Sequence, residues 1–466
     1  MTQTIGDGLA ALRSAMEGIV LIPGDGDAYD DGRRVWNGGI DRRPGVIARC
    51  ASTADVVAAV DFAREYNLEL AVRGGAHNTS GTAVCDGGLM IDLSRLNAVT
   101  VDPGARTALV GGGALLGDVD AACQAHGLAV PAGVVSHTGV GGLTLGGGMG
   151  WLTPKLGLTI DNLLSAEVVL ADGRVVRAAA DEHPDLFWAL RGGGGNFGVV
   201  TRFEFRLHEV GPMIDFALLF WSLEKGADVL THVRDVVAGL PEDISSAILL
   251  MNAPPAPFVP EQHHFAAGYA LVLPGFGASQ AHAEIVAAIR DALPPLFELV
   301  TPMPYVALQQ LIDEATAWGF HVYEKATYVE DLTDDVIDVI VEHGRRKNSP
   351  LSLMQLTRLD GAYSRVGDDE TAFGGGRSPR YSVAIVGMAP DPDLLALDRN
   401  WVREVWDALR PHAIGNGEGY VNMLDQYGEE RMRATYGNAK YERLARIKGE
   451  YDPGNLLHLN ANIKPA

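Results

Sequence analysis

The stretch with the clearest chemical content is Arg73-Gly74-Gly75-Ala76-His77-Asn78-Thr79-Ser80-Gly81. Just before it, Leu70 and Val72 alternate with small or polar positions, the pattern of a short half-buried strand. Paired glycines let the following backbone take conformations closed to other residues. Such a loop can aim successive N–H groups at an anion and cradle a phosphate. A lone histidine, His77, stands in its middle. Taken alone, the loop reads more simply as a tight turn with a surface histidine, and only two further glycine clusters downstream change that reading. A second set of side chains could move protons. Tyr323 and Tyr420 are phenols that neighbours could tune. Gln355 and Thr357 share one face of an expected strand, because strand side chains alternate, but neither is a good base. Each tyrosine also reads as a half-buried core aromatic, and for Tyr323 that is the simpler state. Glu324 and Lys325 read equally as a solvated strand edge or as part of a site. The acidic run Asp368-Asp369-Glu370 has no histidine or apolar neighbours to tune it, and reads as a solvated turn.

The elements that must position these groups follow from periodicity. Leu9 to Met16 is expected as a short helix, and Gly45 to Cys50 as a strand. Ser52, with Asp55 three residues on, signals the start of a helix through Tyr66. The strand before the histidine loop completes a strand–helix–strand unit. Leu89 to Leu93 and Arg106 to Val110 are further expected strands, the second ending at Gly111-Gly112-Gly113 and followed by a helix from Leu116 to His126. Pro131 to Gly150 is a long run of small residues with no helical period, which a ligand lying against its backbone would explain. An irregular loop packed on neighbouring strands would explain it too. Val168 to Ala180 reads as a hairpin around Ala171-Asp172-Gly173. Asp185 to Leu190 is helical, and Gly193, Gly195 and Gly198 then form a GxGxxG. The dinucleotide reading of that motif needs a helix next. Val199 to Phe205 alternates as a strand instead, so a nicotinamide fold is rejected.

From about residue 209 to 417 glycine thins out. Strands are expected at 214–221, 247–251, 265–272, 321–328, 351–359 and 381–386, and helices at 227–239, 280–293, 334–345 and 394–409. This is an α+β pattern, an antiparallel sheet covered by helices on one face. Residues 451 to 466 are polar and turn-rich.

The chain has 466 residues, room for two or three domains and a large core. Glycine is in excess, 56 of 466, and the excess is clustered. Net charge is −22 with no basic patch, which argues against nucleic acid and anionic membranes as partners. Cys50, Cys85 and Cys123 fit neither a zinc site nor a CxxC pair, and are expected as buried free thiols. With no signal-peptide pattern and no run of ~20 apolar residues, a cytoplasmic protein is expected.

Three stretches together resemble the flavoprotein oxidases with a PCMH-type FAD domain, and within them the berberine-bridge-enzyme branch and the bacterial 6-hydroxynicotine oxidase type. They are Arg73 to Asn78; Gly139-Val140-Gly141-Gly142-Leu143-Thr144-Leu145-Gly146-Gly147-Gly148-Met149-Gly150 with Thr153 to Asn162; and Asp185 to Gly192 with Asn196 to Val200. Tyr451-Asp452-Pro453 to Ile463 resembles the berberine-bridge C-terminal segment. The resemblance implies a two-part FAD-binding domain over 1–208, an α+β substrate-binding domain over 209–417, and a segment over 418–466 that returns to the FAD domain. It implies that His77 bonds to the flavin 8α-methyl carbon. Arg73, Gly74, Gly75, Ala76, Asn78 and Gly81 would belong to the diphosphate loop. Val140, Gly141, Gly142 and Gly147 would pass close to the flavin and ribityl chain, and Val199 and Val200 would lie near adenine. Tyr420, Asn422, Asn460 and Asn462 would approach the isoalloxazine ring from the C-terminal side. Many relatives carry a second link from a cysteine after an Ala-Gly-Val-type run. Here Val135 follows Ala132-Gly133-Val134, so a single covalent link is expected. His137 is not the missing ligand by motif; it reads as a pocket-lining or a structural residue. Thr138 falls where relatives gate oxygen, and its size favours an oxidase. The implied reaction takes a hydride from a small alcohol, sugar or amine, with Tyr323, Tyr420 or Gln355 as candidate catalytic residues. Electrons then pass to O2, giving H2O2. A flavin dehydrogenase or oxidative cyclase, and a flavin-binding protein without turnover, are the rival readings.

Overall fold

The computed structural model describes residues 2–415, 419–424 and 428–466. The boundary expected between 417 and 418 lies outside the described residues.

Three sheets organise the chain. The first runs Ile19–Leu21, Val46–Arg49, Leu89–Asp92, Leu70–Arg73 in spatial order, the last three parallel. Its centre, Leu89–Asp92, is buried at every position, as a parallel strand covered on both faces must be. The Thr53–Glu65 helix makes the crossover; Ser52 Oγ accepts the Asp55 N–H at 3.2 Å, the expected cap. The Asp55 carboxylate instead accepts from the backbone N–H groups of Glu17, Gly18 and Ala51, which ties the N-terminal segment to this unit. The histidine loop leaves the end of Leu70–Arg73.

The second sheet is antiparallel, in the order Val99–Asp102, Thr107–Gly111, Val199–Arg206, Leu163–Val169, Val175–Ala179. The strand expected after Gly198 is therefore present, and the last two strands form the expected hairpin. The run from Pro131 to Gly150 is corrected: Val140–Gly146 is a short helix. Its glycines disfavour a helix by propensity, but Val140, Thr144 and Leu145 are buried, so tertiary packing decides.

The third sheet has the spatial order Phe297–Val300, Met213–Ser222, Ala267–Gly275, Ala247–Asn252, Leu353–Leu359, Arg380–Ala389, His321–Val329, all antiparallel. Helices Gly226–Ala238, Ser279–Ala292, Asp334–Gly344 and Pro392–Leu409 supply the side chains that pack on one face. The opposite face looks towards the two glycine-rich sheets.

After the Asn438–Tyr451 helix the chain is fixed onto the Gly192–Gly198 loop. Asn196 donates to the Ala461 carbonyl at 3.0 Å and accepts from Ile463 N–H at 2.9 Å. Lys448 is wholly buried and donates to the carbonyls of Asn196 (2.7 Å) and Leu457 (3.0 Å) and to Asp452 (2.6 Å). Burial holds the Lys448 pKa below its ordinary value, with the Asp452 carboxylate opposing that shift. Removing one partner of such a pair leaves an uncompensated buried charge. Lys448→Met is therefore expected to destabilise the protein by about 3–5 kcal/mol. Urea unfolding checks this; a midpoint equal to wild type would contradict the clamp.

Candidate active site

The histidine loop and the Val135–Gly139 turn meet backbone to backbone. A Cβ on Gly75 would stand 2.2 Å from Gly139 N, and a Cβ on Gly139 would stand 2.2 Å from Gly75 N. Both positions must be glycine for this approach. Between them, Ala76 takes φ +53, a left-handed conformation that costs a residue with a Cβ about 1–3 kcal/mol. Trp36 N–H holds the Ala76 carbonyl at 3.0 Å. The Trp36 ring then stacks on His77, centroids 4.2 Å apart and 14° from parallel. On the other loop, His137 Nδ1 lies 3.2 Å from His77 Nε2. The His77 pKa is pushed down to about 3, by burial first and by the nearby His137 second. His77 is thus a neutral imidazole at any physiological pH, the state in which a ring nitrogen keeps a lone pair.

These loops open on a cavity of about 420 Å³. Gly74, Gly75, Ala76, His77 and Asn78 line it, as do Val135, Thr138, Gly141, Gly142, Val199, Val200, Tyr420, Asn422 and Asn460. The remaining residues expected here are placed otherwise. Arg73 turns its guanidinium to the Gly32 carbonyl and towards Asp92, so only its backbone belongs to the loop. Gly81 closes the turn by donating to the Asn78 carbonyl at 3.0 Å. Val140 sits in the core behind the cavity, and Gly147 packs against Phe373 and Tyr420. Asn462 is not in the cavity wall, although its Oδ1 is buried without a partner.

The third sheet supplies the opposite wall. Its register sets Glu324 across from Val386 and Val386 across from Leu353; Gln355 faces Ala384, and Thr357 faces Ser382. All seven side chains line the cavity. Tyr323 is one residue out of phase, and this corrects its expected place. It lies in the helix-covered core, its hydroxyl accepting from Arg403 Nε at 3.3 Å. Glu324 and Lys325 are corrected as well: both are buried, not a solvated edge. Lys325 faces the helices, with its ammonium 4.7 Å from the Trp406 ring centroid, whereas the Glu324 carboxylate accepts a bond from Thr79 Oγ1. Asn37 sets that meeting of loop and sheet. It donates to the carbonyls of Thr79 (2.8 Å) and Val322 (3.0 Å) and accepts from Val322 N–H at 3.1 Å. Sequence reasoning missed Trp36, Asn37 and the cavity-facing role of Glu324.

Tyr420 Oη accepts from Gly148 N–H and from Asn422 Nδ2, each at 2.8 Å. Burial pushes its pKa up to about 12, so the phenol keeps its proton and is a poor base. Gln355 donates to Thr357 Oγ1 at 3.1 Å and can orient a ligand without exchanging a proton.

The cavity suits the FAD that the sequence motifs imply. Among the described residues that line it, Asn460 Oδ1 and Trp151 Nε1 are buried with no hydrogen-bond partner. Native proteins rarely leave such atoms unsatisfied, and a bound polar cofactor is one way to satisfy them. The loop contact itself is testable without any ligand. Gly139→Ala should cost about 1–3 kcal/mol in urea unfolding, as forced overpacking does. Gly142→Ala meets nothing within 4 Å and lies in a helix, so the same measurement should show no loss. Equal midpoints for the two variants would contradict the contact.

Comparison with known proteins agrees with this architecture. An FAD binding domain model matches residues 44–179, and a berberine and berberine-like model matches residues 419–464. The (R)-6-hydroxynicotine oxidase of Paenarthrobacter nicotinovorans is 30% identical over 466 residues, covering 97% of each chain. The crystal structure of 6-hydroxy-D-nicotine oxidase from Arthrobacter nicotinovorans matches with a TM-score of 0.84 at 28% identity, over 97% of this chain and 98% of that one. Glucooligosaccharide oxidase from Acremonium strictum, which carries a 6-S-cysteinyl, 8α-N1-histidyl FAD, shares the fold with a TM-score of 0.83 at 24% identity, over 98% and 99% of the two chains. With both family models in place, a relative alike along nearly its whole length and a cavity built from the same glycine loops, the chain belongs to the PCMH-type FAD-linked oxidoreductases of the berberine-bridge-enzyme-like, 6-hydroxynicotine-oxidase-like family.

Proposed function

We propose that the protein oxidises a small alcohol, sugar or amine at FAD held through a single covalent bond from His77, with O2 as the final acceptor. The observation that carries this reading is the placement of Glu324. A buried carboxylate faces the cavity and is bonded to Thr79, two residues beyond His77 on the same loop. A group that removes a proton from substrate is thereby set beside the expected cofactor site. When bound, FAD supplies the hydride acceptor and passes the electrons on to O2, which leaves as H2O2.

The chain's own residues do the rest. N–H groups from Gly74 to Asn78 hold the diphosphate, and Val199 and Val200 pack against adenine. Asn422 and Asn460 approach the ring system from the C-terminal side. Glu324 takes the proton from the substrate hydroxyl or amine as the neighbouring C–H bond breaks. Gln355 and Thr357 orient the substrate, and Tyr420 keeps its proton and braces Gly148 and Asn422. Leu353, Ala384, Val386 and Met388 set an apolar strip on the sheet wall beside the polar Glu324, Gln355, Thr357 and Ser382, which favours a substrate with an apolar body and one oxidisable group. Thr138 lines the cavity and is close to valine in size, which leaves O2 a way in and favours an oxidase over a dehydrogenase. Cys50, Cys85 and Cys123 are buried free thiols, in keeping with the cytoplasmic setting expected from the sequence.

A panel of alcohols, amines and sugars mixed anaerobically with the yellow protein tests the reading. One class should bleach the flavin, and air should restore the colour with release of peroxide. No bleaching by any class would favour a flavin binder without turnover; bleaching followed by slow return in air would favour a dehydrogenase. With the active substrate, Glu324→Gln should slow bleaching by about 100- to 10,000-fold in stopped flow, the usual range for losing a general base. A wild-type rate in that variant would assign the proton to another group.

A further inference from the structure

We propose that a second cavity, separate from the one that faces His77, binds a small organic oxyanion, a carboxylate or a phosphate monoester, through Arg380, Tyr328 and Thr435. This cavity has a volume of about 220 Å³. It lies between the Gly374-Gly375-Gly376 loop and the junction of the Glu429–Tyr436 and Asn438–Tyr451 helices. Among the described residues it shares no lining residue with the first cavity. At a liquid volume of about 30 Å³ per water, it has room for roughly seven waters or for one small organic anion.

Arg380 supplies the charge. Tyr328 stands on the same face of the His321–Val329 strand as Glu324, across from Ser382, and Arg380 is two residues before Ser382 on that face. The Arg380 side chain is 6% exposed and lines the cavity. Its Nε donates to the Ser378 carbonyl at 2.8 Å, Nη1 to the Gly375 carbonyl and Nη2 to Ser378 Oγ. A guanidinium has five N–H groups, so two remain unspent. The nearby Arg358 and Arg377 are paired with Asp360 and Asp161, but among the described residues no carboxylate pairs with Arg380. The Tyr328 ring, its centroid 5.7 Å from the guanidinium carbon, offers only the weaker attraction of an aromatic face. A buried cation without a counter-charge is costly, and a planar guanidinium matches the oxygens of a carboxylate or a phosphate.

Two hydroxyls complete the site. Tyr328 and Thr435 are 2% and 4% exposed, and Tyr328 Oη and Thr435 Oγ1 are buried without a hydrogen-bond partner. Both residues line the cavity. A Cβ on Gly375 would stand 2.7 Å from Tyr328 Oη, so glycine there keeps the loop clear of the phenol. Burial raises the Tyr328 pKa well above its ordinary value, so the hydroxyl keeps its proton and can donate it to an anion. Gly437 also lines the cavity and starts the 14-residue Asn438–Tyr451 helix without a side-chain cap, an end that favours negative charge. The shorter Glu429–Tyr436 helix ends at the same point and opposes this in part, which leaves Arg380 as the deciding charge. The chain as a whole carries −22, so the surface does not draw an anion here; the local groups must hold it. Tyr328 packs in one cluster with Phe373 and Tyr420, and Tyr420 lines the first cavity, so the occupant braces the layer behind that wall.

Isothermal titration calorimetry on the full chain saturated with FAD tests this. Inorganic phosphate and succinate are the two probes, each titrated at an ionic strength held constant with sodium chloride. At least one should bind saturably, and the tighter one identifies the head group. Tyr328→Phe should weaken that binding by about 10- to 100-fold, the loss of one hydrogen bond to a charged group. Thr435→Val and Arg380→Lys should weaken it as well. Tyr328 Oη bonds to nothing in the protein itself, so Tyr328→Phe should not lower the midpoint of urea unfolding. A lowered midpoint would give the hydroxyl a structural role and overturn its assignment to a ligand. No saturable binding of either probe would overturn the proposal and leave the cavity to water. Equal affinity in wild type and Tyr328→Phe would place the anion elsewhere, the diphosphate loop included, and overturn it too.

Discussion

Two backbones touch at Gly75 and Gly139, and the site depends on that contact. Nothing larger than hydrogen fits on either α-carbon there. The contact fixes where the end of the first sheet stands relative to the turn that leads into the Val140–Gly146 helix. It brings His77 and His137 within hydrogen-bond distance and sets Gly74 to Asn78 along one wall of the cavity. Ala76 is held in a left-handed conformation beside it, and the stacked Trp36 ring completes the frame. Steric exclusion, not a strong attraction, is what makes the arrangement specific. Any side chain at either glycine would separate the loops.

The second constraint is the pleat of the third sheet. Residues 324, 353, 355, 357, 382, 384, 386 and 388 all line the cavity, while their sequence neighbours pack under the helices. A one-residue slip would exchange Glu324 for Tyr323 or Lys325 and lose the carboxylate. Asn37 guards against this by bonding both Thr79 and Val322, so the loop that carries His77 and the strand that carries Glu324 share one register. The two walls of the cavity are thus tied together by this buried amide and by the Thr79–Glu324 bond beside it.

What could be read from the chain before its structure divides along physical lines. Glycine clusters were legible because close backbone approach excludes other residues, and clustering made the excess informative. The strand after Gly198 was legible from plain alternation, and it excluded a nicotinamide site. Glu324 was not, since the His321–Val329 strand is buried on both faces and its burial has no period of two. A carboxylate facing a cavity then looks like one facing solvent. Trp36 and Asn37 lie about forty residues before the histidine loop, and no local pattern marks their return to it. The Val140–Gly146 helix escaped notice because its residues have poor helix propensity and its stability comes from burial. Arg73 stands in the loop by its backbone, while its side chain turns to the Gly32 carbonyl and towards Asp92, a placement no local pattern marks.

The central claim is that the glycine contact holds a neutral His77 where FAD becomes joined to it. The mass of the intact wild-type chain after denaturation tests it most directly. The account predicts one species, heavier than the bare polypeptide by one FAD less two hydrogens, with no yellow colour released to the supernatant. A bare-polypeptide mass, with all the FAD free in solution, would contradict it.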